Sequence, residues 1–165
     1  MGDINERAFK LAMHNIALNK LAGKVEVKNK EANYLLNSYS APHKRFDCVD
    51  IDPFGSPVRF LDSAVRALRD GGLLAVTATD MAPLCGVHPR PCVRKYGGKP
   101  LRVEYCHELA VRLVAGSLAT TAAKYDIGIS VIFVHQAEHY ARVYATTKYG
   151  AEHADGWHDA TRLGE

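Results

Sequence analysis

Hydrophobic and polar positions fall into blocks whose period changes along the chain. Phe9, Ala12, Met13 and Ile16 recur at helical spacing, with Asn5 placed as the cap and Gly23 as the stop. Val25-Glu26-Val27-Lys28 alternates like a short strand, and residues 32–36 make one or two helical turns. Residues 46–51 read as a second strand, apolar enough on both faces for burial in a parallel sheet. Leu61, Ala64, Val65 and Leu68 return to helical spacing, and Arg69-Asp70-Gly71-Gly72 ends that helix. A third strand spans 73–79, a long loop bearing Pro and Gly spans 80–100, and an amphipathic helix spans 103–125. That helix turns Cys106, Leu109, Ala110, Leu113 and Leu118 toward the core. Residues 129–134 and 140–147 are two more strands, the second with Ala141, Val143 and Ala145 on one side, close enough to form an antiparallel hairpin. Residues 149–165 are polar and read as a linker or tail.

Such alternation predicts an α/β sheet with helices on both faces. In doubly wound sheets ligands bind beyond the carboxyl ends of the strands. Asp52 and Asp80 lie at such ends, and so does Asp3 if a strand precedes it. The length of 165 residues fits one domain. A net charge of +3 demands no polyanion, but its distribution suits one. Residues 81–103 hold no acid while carrying Arg90, Arg94, Lys95, Lys99 and Arg102; a solvated basic loop is the competing reading.

The four cysteines, Cys48, Cys85, Cys92 and Cys106, form no C-x-x-C pair and suit free thiols in a reducing compartment, with Cys48 in a buried strand. No signal peptide or membrane-length apolar run is present, so a cytoplasmic protein with no membrane association is expected. Cys85, His88, Cys92, Cys106 and His107 fit no common zinc spacing, and His153, Asp155, His158 and Asp159 near the end read as solvated. No metal is expected.

Residues 50–57, Asp-Ile-Asp-Pro-Phe-Gly-Ser-Pro, carry the most specific chemistry. A strand ending in an acid, a proline and an aromatic offers a carboxylate, backbone carbonyls and a flat ring to one planar guest. A nucleobase with an exocyclic amine is such a guest. A simple strand-ending turn is the alternative, yet Gly55-Ser56-Pro57 already suffices to turn the chain. Asp50 is placed as a structural partner and not as a second base.

These residues belong to an ordered series. Asp3-Ile4-Asn5, Glu31-Ala32-Asn33, residues 50–57, Thr77-Ala78-Thr79-Asp80, Ala82-Pro83-Leu84-Cys85-Gly86 and residues 88–96 follow one another. The series resembles the tRNA (guanine-26-N2)-dimethyltransferase family in its archaeal form, over residues 3 to about 148. The resemblance implies a Rossmann-like methyltransferase sheet, mostly parallel with a C-terminal antiparallel hairpin, S-adenosylmethionine as cofactor and tRNA as partner. It assigns Asp52, Pro53 and Phe54 to the methyl-acceptor centre, and Asp3, Glu31 and Ala32 to the cofactor's ribose and adenine. It assigns Asp80, Arg90, Arg94, Lys95 and Tyr96 to the RNA, with Tyr96 stacking. Glu31 stands where the family pattern has Asp.

Family members carry a first strand with a glycine-rich loop before the position of Asp3, and a further domain after the last strand. Residues 1–148 therefore resemble part of a catalytic domain, and the strand at Val25 would ordinarily be separated from that at Phe46 by two others. Low stability and little activity are expected of the chain alone. The alternatives are an RNA-binding-only or inactive fragment, and an amino-methyltransferase for another nucleic acid.

Overall fold

The computed structural model describes residues 1–137 and 139–162, with 157–162 described by backbone alone. Helix α1 (Glu6–Leu18) starts where the Asn5 side chain accepts hydrogen bonds from the Arg7 and Ala8 amides. It ends at Asn19, before Gly23. Lys20 and Gly23, both at positive φ, then turn the chain. The remaining elements are α2 (Ala32–Asn37), β1 (Phe46–Ile51), α3 (Val58–Arg66), β2 (Leu68–Ala78), α4 (Met81–Leu84), α5 (Pro89–Tyr96), α6 (Cys106–Ala123), β3 (Ile127–Ala137), β4 (Tyr140–Tyr149) and α7 (Ala151–Arg162).

The strands form one sheet in the order β1-β2-β4-β3. β1 and β2 are parallel, whereas β4 runs antiparallel to both β2 and β3. Within the sheet, among the described residues, parallel pairing is confined to β1 and β2. Along β4 the buried residues Ala141, Val143 and Ala145 share one side, as their alternation predicts. Beneath them lie Val114, Leu118 and Ala122 of α6, each fully buried, with Leu61, Ala64 and Val65 of α3 continuing the same core. A side chain of Leu or Val size buried in this way stabilises the fold by about 1.5–3 kcal/mol before entropy is subtracted.

Helix α7 lies on the other face. Gly128 alternates with the core residues Ile127 and Ile129, and a Cβ built on Gly128 would stand 2.4 Å from the His153 carbonyl oxygen. Only glycine allows that approach of helix to strand. The rest of this second face is less covered. Cys48 and Asp50 on β1 and Phe133 on β3 are exposed there.

Several expectations are corrected. Residues 25–28 form no strand: the segment meets Gly2 in a single isolated bridge at Lys28 and does not join the sheet. The Lys28 amide donates to the Met1 carbonyl at 3.0 Å and the Asp3 amide to the Lys28 carbonyl at 3.1 Å, a pairing too short to make a strand. β1 is not buried on both faces, because it is an edge strand, and Cys48 is exposed. β2 begins at Leu68 and passes through Gly71 and Gly72, which were expected to end a helix; its pairing with β1 shifts register there. Residues 80–100 contain two helices instead of one loop, and 151–162 are helical instead of a tail, with Ala154 buried. His158 and Asp159 fall outside the described side chains. Among the described residues no helix is long and apolar enough to cross a membrane.

Candidate functional site

The loop after β1 is held by its neighbour strand. The Gly55 amide donates to the Thr79 hydroxyl at 2.6 Å, and the Thr79 amide donates back to the Gly55 carbonyl at 2.9 Å. Gly55 sits at φ +80°, a conformation that side chains rarely adopt. These two bonds fix the turn between Phe54 and Pro57, and the chain enters α3 immediately afterwards. Asp52 is exposed, Pro53 half-buried, and the Phe54 side chain stands fully in solvent at 105% relative exposure. An aromatic ring held outward on a braced turn is available for stacking.

Asp50 is engaged as a structural partner. Its carboxylate accepts from the Arg142 guanidinium at 2.7 Å, while Arg142 also donates to the Tyr144 hydroxyl at 2.7 Å and to the Thr77 hydroxyl. One arginine on β4 thereby reaches across β2 to β1, directly below the loop. Sequence reasoning missed Arg142 and the anchoring role of Thr79. Arg142 had no local signal, because it depends on the register that sets it opposite Thr77.

Asp80 follows β2, and its side chain is only 11% exposed. Its two oxygens accept from the Tyr96 hydroxyl at 2.5 Å and from the Lys95 ammonium at 2.9 Å. Tyr96 is 5% exposed, so its ring offers no face to an RNA base, which corrects the stacking role. Asp80, Lys95 and Tyr96 instead lock the carboxyl end of β2 to α5. Arg90 and Arg94 are exposed one turn apart on α5, and they line a shallow groove with Pro89, Val93 and Lys99. Arg94 also lines a second groove with Val58, the first residue of α3.

Asp3 is exposed at the entrance to α1, where its carboxylate accepts from the Asn5 amide at 2.7 Å. The Asn29 side chain donates to the Asp3 and Ile4 carbonyls, tying this turn to the segment before Glu31. Glu31 caps α2 by accepting from the Tyr34 amide at 3.0 Å, and it also accepts from the Asn33 side chain at 3.2 Å. Burial works to raise its pKa, but the bonds from Tyr34 and Asn33 outweigh this and hold it below the usual carboxylate value. Ala32 opens the helix that Glu31 caps. The Ser63 hydroxyl of α3 donates to the Asn33 side-chain oxygen Oδ1 at 2.6 Å, joining this corner to the helix that follows the Asp52 loop.

Three thiol- or imidazole-bearing residues from the basic segment and α6 also meet: Cys85, Cys106 and His107. His88 and Cys92 are not in this group. Burial, then Cys106, pushes the Cys85 thiol up to about 12, and burial, then Asp80, raises the Tyr96 hydroxyl. Both groups stay protonated in the fold at pH values where an unfolded chain would ionise them. Their contribution to stability is complete below the ordinary pKa values and is lost as pH rises past them. The melting temperature of the metal-free chain should therefore hold to about pH 8.5 and fall progressively between about pH 9 and 12. Thermal melts across that range check this, and a flat profile refutes it.

A parallel β1–β2 pair continued by the β4–β3 hairpin makes a mixed α/β sheet of the Rossmann-like type found in methyltransferases. The model of the N2,N2-dimethylguanosine tRNA methyltransferase family matches residues 1–163, and the chain belongs to that family. It is 43% identical over 166 residues to the tRNA (guanine(26)-N(2))-dimethyltransferase of Pyrococcus furiosus, covering 94% of this chain and 44% of that relative. It is 50% identical over 156 residues to the protein of the same description from Methanococcus maripaludis, covering 94% and 40%. A solved structure described as a complex of Trm1 from Pyrococcus horikoshii with S-adenosyl-L-methionine superposes with a TM-score of 0.85 at 41% identity, over 94% of this chain and 45% of that one. The chain thus spans less than half the length of the relatives it matches.

Proposed function

We propose that this chain supplies the methyl-acceptor part of a centre that transfers methyl groups from S-adenosylmethionine to the exocyclic N2 of guanine 26 in tRNA. The observation that carries the reading is the turn after β1, which Gly55 fastens to Thr79 and which leaves Phe54 wholly in solvent next to exposed Asp52. An RNA-binding surface alone has no use for a carboxylate fixed next to such a ring. A cytoplasmic location accords with this substrate.

The amino group of guanine is a weak nucleophile, since its lone pair is delocalised into the ring. Phe54 stacks on the base once it leaves the helical stack. Asp52 and the backbone carbonyls of the turn accept the two amine hydrogens, which returns electron density to nitrogen and aims the lone pair. The Asp52 carboxylate would take the proton that the amine gives up when it is methylated and the sulfonium C–S bond breaks. Fixing this geometry removes about 7–11 kcal/mol of the barrier at best. Arg90 and Arg94 meet phosphates of the tRNA body, which orients the substrate without reading its sequence.

Asp3 and Glu31 fit the nucleoside of the cofactor. An ionised carboxylate accepts about four hydrogen bonds, so each acid retains acceptor capacity beyond its bonds within the chain. Asp3 would hold the ribose hydroxyls, while Glu31 and the Ala32 backbone would meet the adenine edge. When bound, S-adenosylmethionine supplies an electrophilic, sulfonium-activated methyl carbon.

The test is a chimaera in which residues 1–163 replace the matching stretch of the Pyrococcus furiosus relative. With labelled cofactor and unmodified tRNA, the label should appear on N2 of guanine. Label on another base, or none from a folded chimaera, overturns the reading.

A further inference from the structure

The cluster of Cys85, Cys106 and His107 plays no part in the reaction described above. The Cys85 and Cys106 sulfurs and a ring nitrogen of His107 all lie within 4.8 Å of one another. Cys85 terminates α4, with its amide bonded to the Met81 carbonyl at 2.7 Å, whereas Cys106 and His107 are the first two residues of α6. All three are half-buried. From these placements we infer that Cys85, Cys106 and His107 form a zinc site that staples α4 to the start of α6.

The donor set argues for the ion. Two thiols and one imidazole suit borderline-soft divalent zinc and are poor ligands for magnesium or calcium. Zinc takes Cys sulfur at about 2.3 Å and His nitrogen at about 2.0–2.1 Å, so tetrahedral ligands stand about 3.5–3.8 Å apart. Side-chain rotations that close the cluster by about 1 Å meet that requirement. Water or another side chain would complete the tetrahedron.

The backbone around the cluster is constrained. Gly86 has φ +82°, and a Cβ there would lie 2.9 Å from the Arg102 nitrogen and the Leu101 carbonyl carbon. The connection from α4 to α5 therefore already lies against the one that leads from α5 into Cys106, and bringing the ligands together requires no large backbone movement. A disulfide would use the two sulfurs and leave His107 without a role. The site also has a purpose in the fold: α4 begins immediately after Asp80, so an ion there holds the carboxyl end of β2 against α6.

The test uses the 165-residue chain, reduced and stripped of metal. Calorimetric titration with zinc chloride should give one ion per chain, and cobalt chloride should give sulfur-to-cobalt charge-transfer absorption in the near ultraviolet. Cys106→Ser and His107→Gln should each weaken zinc binding by about 100-fold, while Cys48→Ser, at an exposed cysteine on β1, should leave it unchanged. Zinc should raise the melting temperature of the parent chain, and a chelator should reverse the rise.

Absence of one-to-one binding overturns the inference. So does binding that survives His107→Gln, or binding that is lost with Cys48→Ser. If mass spectrometry shows a Cys85–Cys106 disulfide forming in air in the presence of equimolar zinc, the pair is a redox couple and the inference also fails. None of these readouts depends on methyl transfer.

Discussion

Replacing Asp52 by alanine in the chimaera should lower kcat by about 10³-fold while the KM for tRNA stays within about threefold. The split follows from position. Asp52 meets only the amino group, whereas most tRNA affinity comes from phosphates contacted elsewhere. Asp52→Asn keeps the size and one acceptor but cannot take the proton, so it should recover little of the lost rate. Phe54→Ala should act differently. Stacking of one base on an aromatic ring contributes about 1–3 kcal/mol, so the loss falls on the fraction of guanine seated in the centre. Phe54→Tyr, which keeps the ring, should restore most activity. The measurement is single-turnover label transfer over a range of tRNA concentrations. If Asp52→Ala retains more than a third of the parent kcat, the carboxylate takes no part in the chemistry.

Much of this site was legible because its parts are local. The strand at 46–51 was bounded by its apolar run, and the turn after it by Gly55-Ser56-Pro57, so the placement of Asp52 at a strand tip needed no tertiary information. The hairpin and α6 were legible for the same reason. What failed depended on neighbours. The alternation at 25–28 is present, but the segment pairs only with residues 1–3, so it forms one bridge. At the described side chains of α7, residues 151–156, the apolar groups are small; the helix docks through Ala154 and through the absence of a side chain at Gly128. The helix at 89–96 did carry signals, Pro89 in its first turn and Gly97 at φ +75° after its last, but the density of Pro and Gly in that region reads as loop. Arg142 and the meeting of Cys85 with Cys106 and His107 rest on contacts distant in sequence, which no spacing rule encodes.

Asp80→Ala should be the most damaging single change to stability near the site, costing about 2–4 kcal/mol in urea unfolding of the chain. The buried Tyr96 hydroxyl then loses its acceptor, and the Lys95 ammonium loses its counter-charge. The tyrosine should account for most of the loss, since Lys95 is 42% exposed and water can solvate it. Tyr96→Phe removes donor and demand together and should cost only about 1 kcal/mol. The combined Asp80→Ala/Tyr96→Phe variant should then be more stable than Asp80→Ala alone, because no hydroxyl remains buried without a partner. That non-additivity is the signature of a direct bond at the end of β2, as opposed to two separate contributions to packing. Simple addition of the two single costs would show that Asp80 acts on the fold through something other than Tyr96. The same comparison bears on function: Asp80 fixes the residues that follow Thr79, and Thr79 fixes Gly55. Loosening this end of β2 should widen the range of positions open to Phe54 and lower methyl transfer.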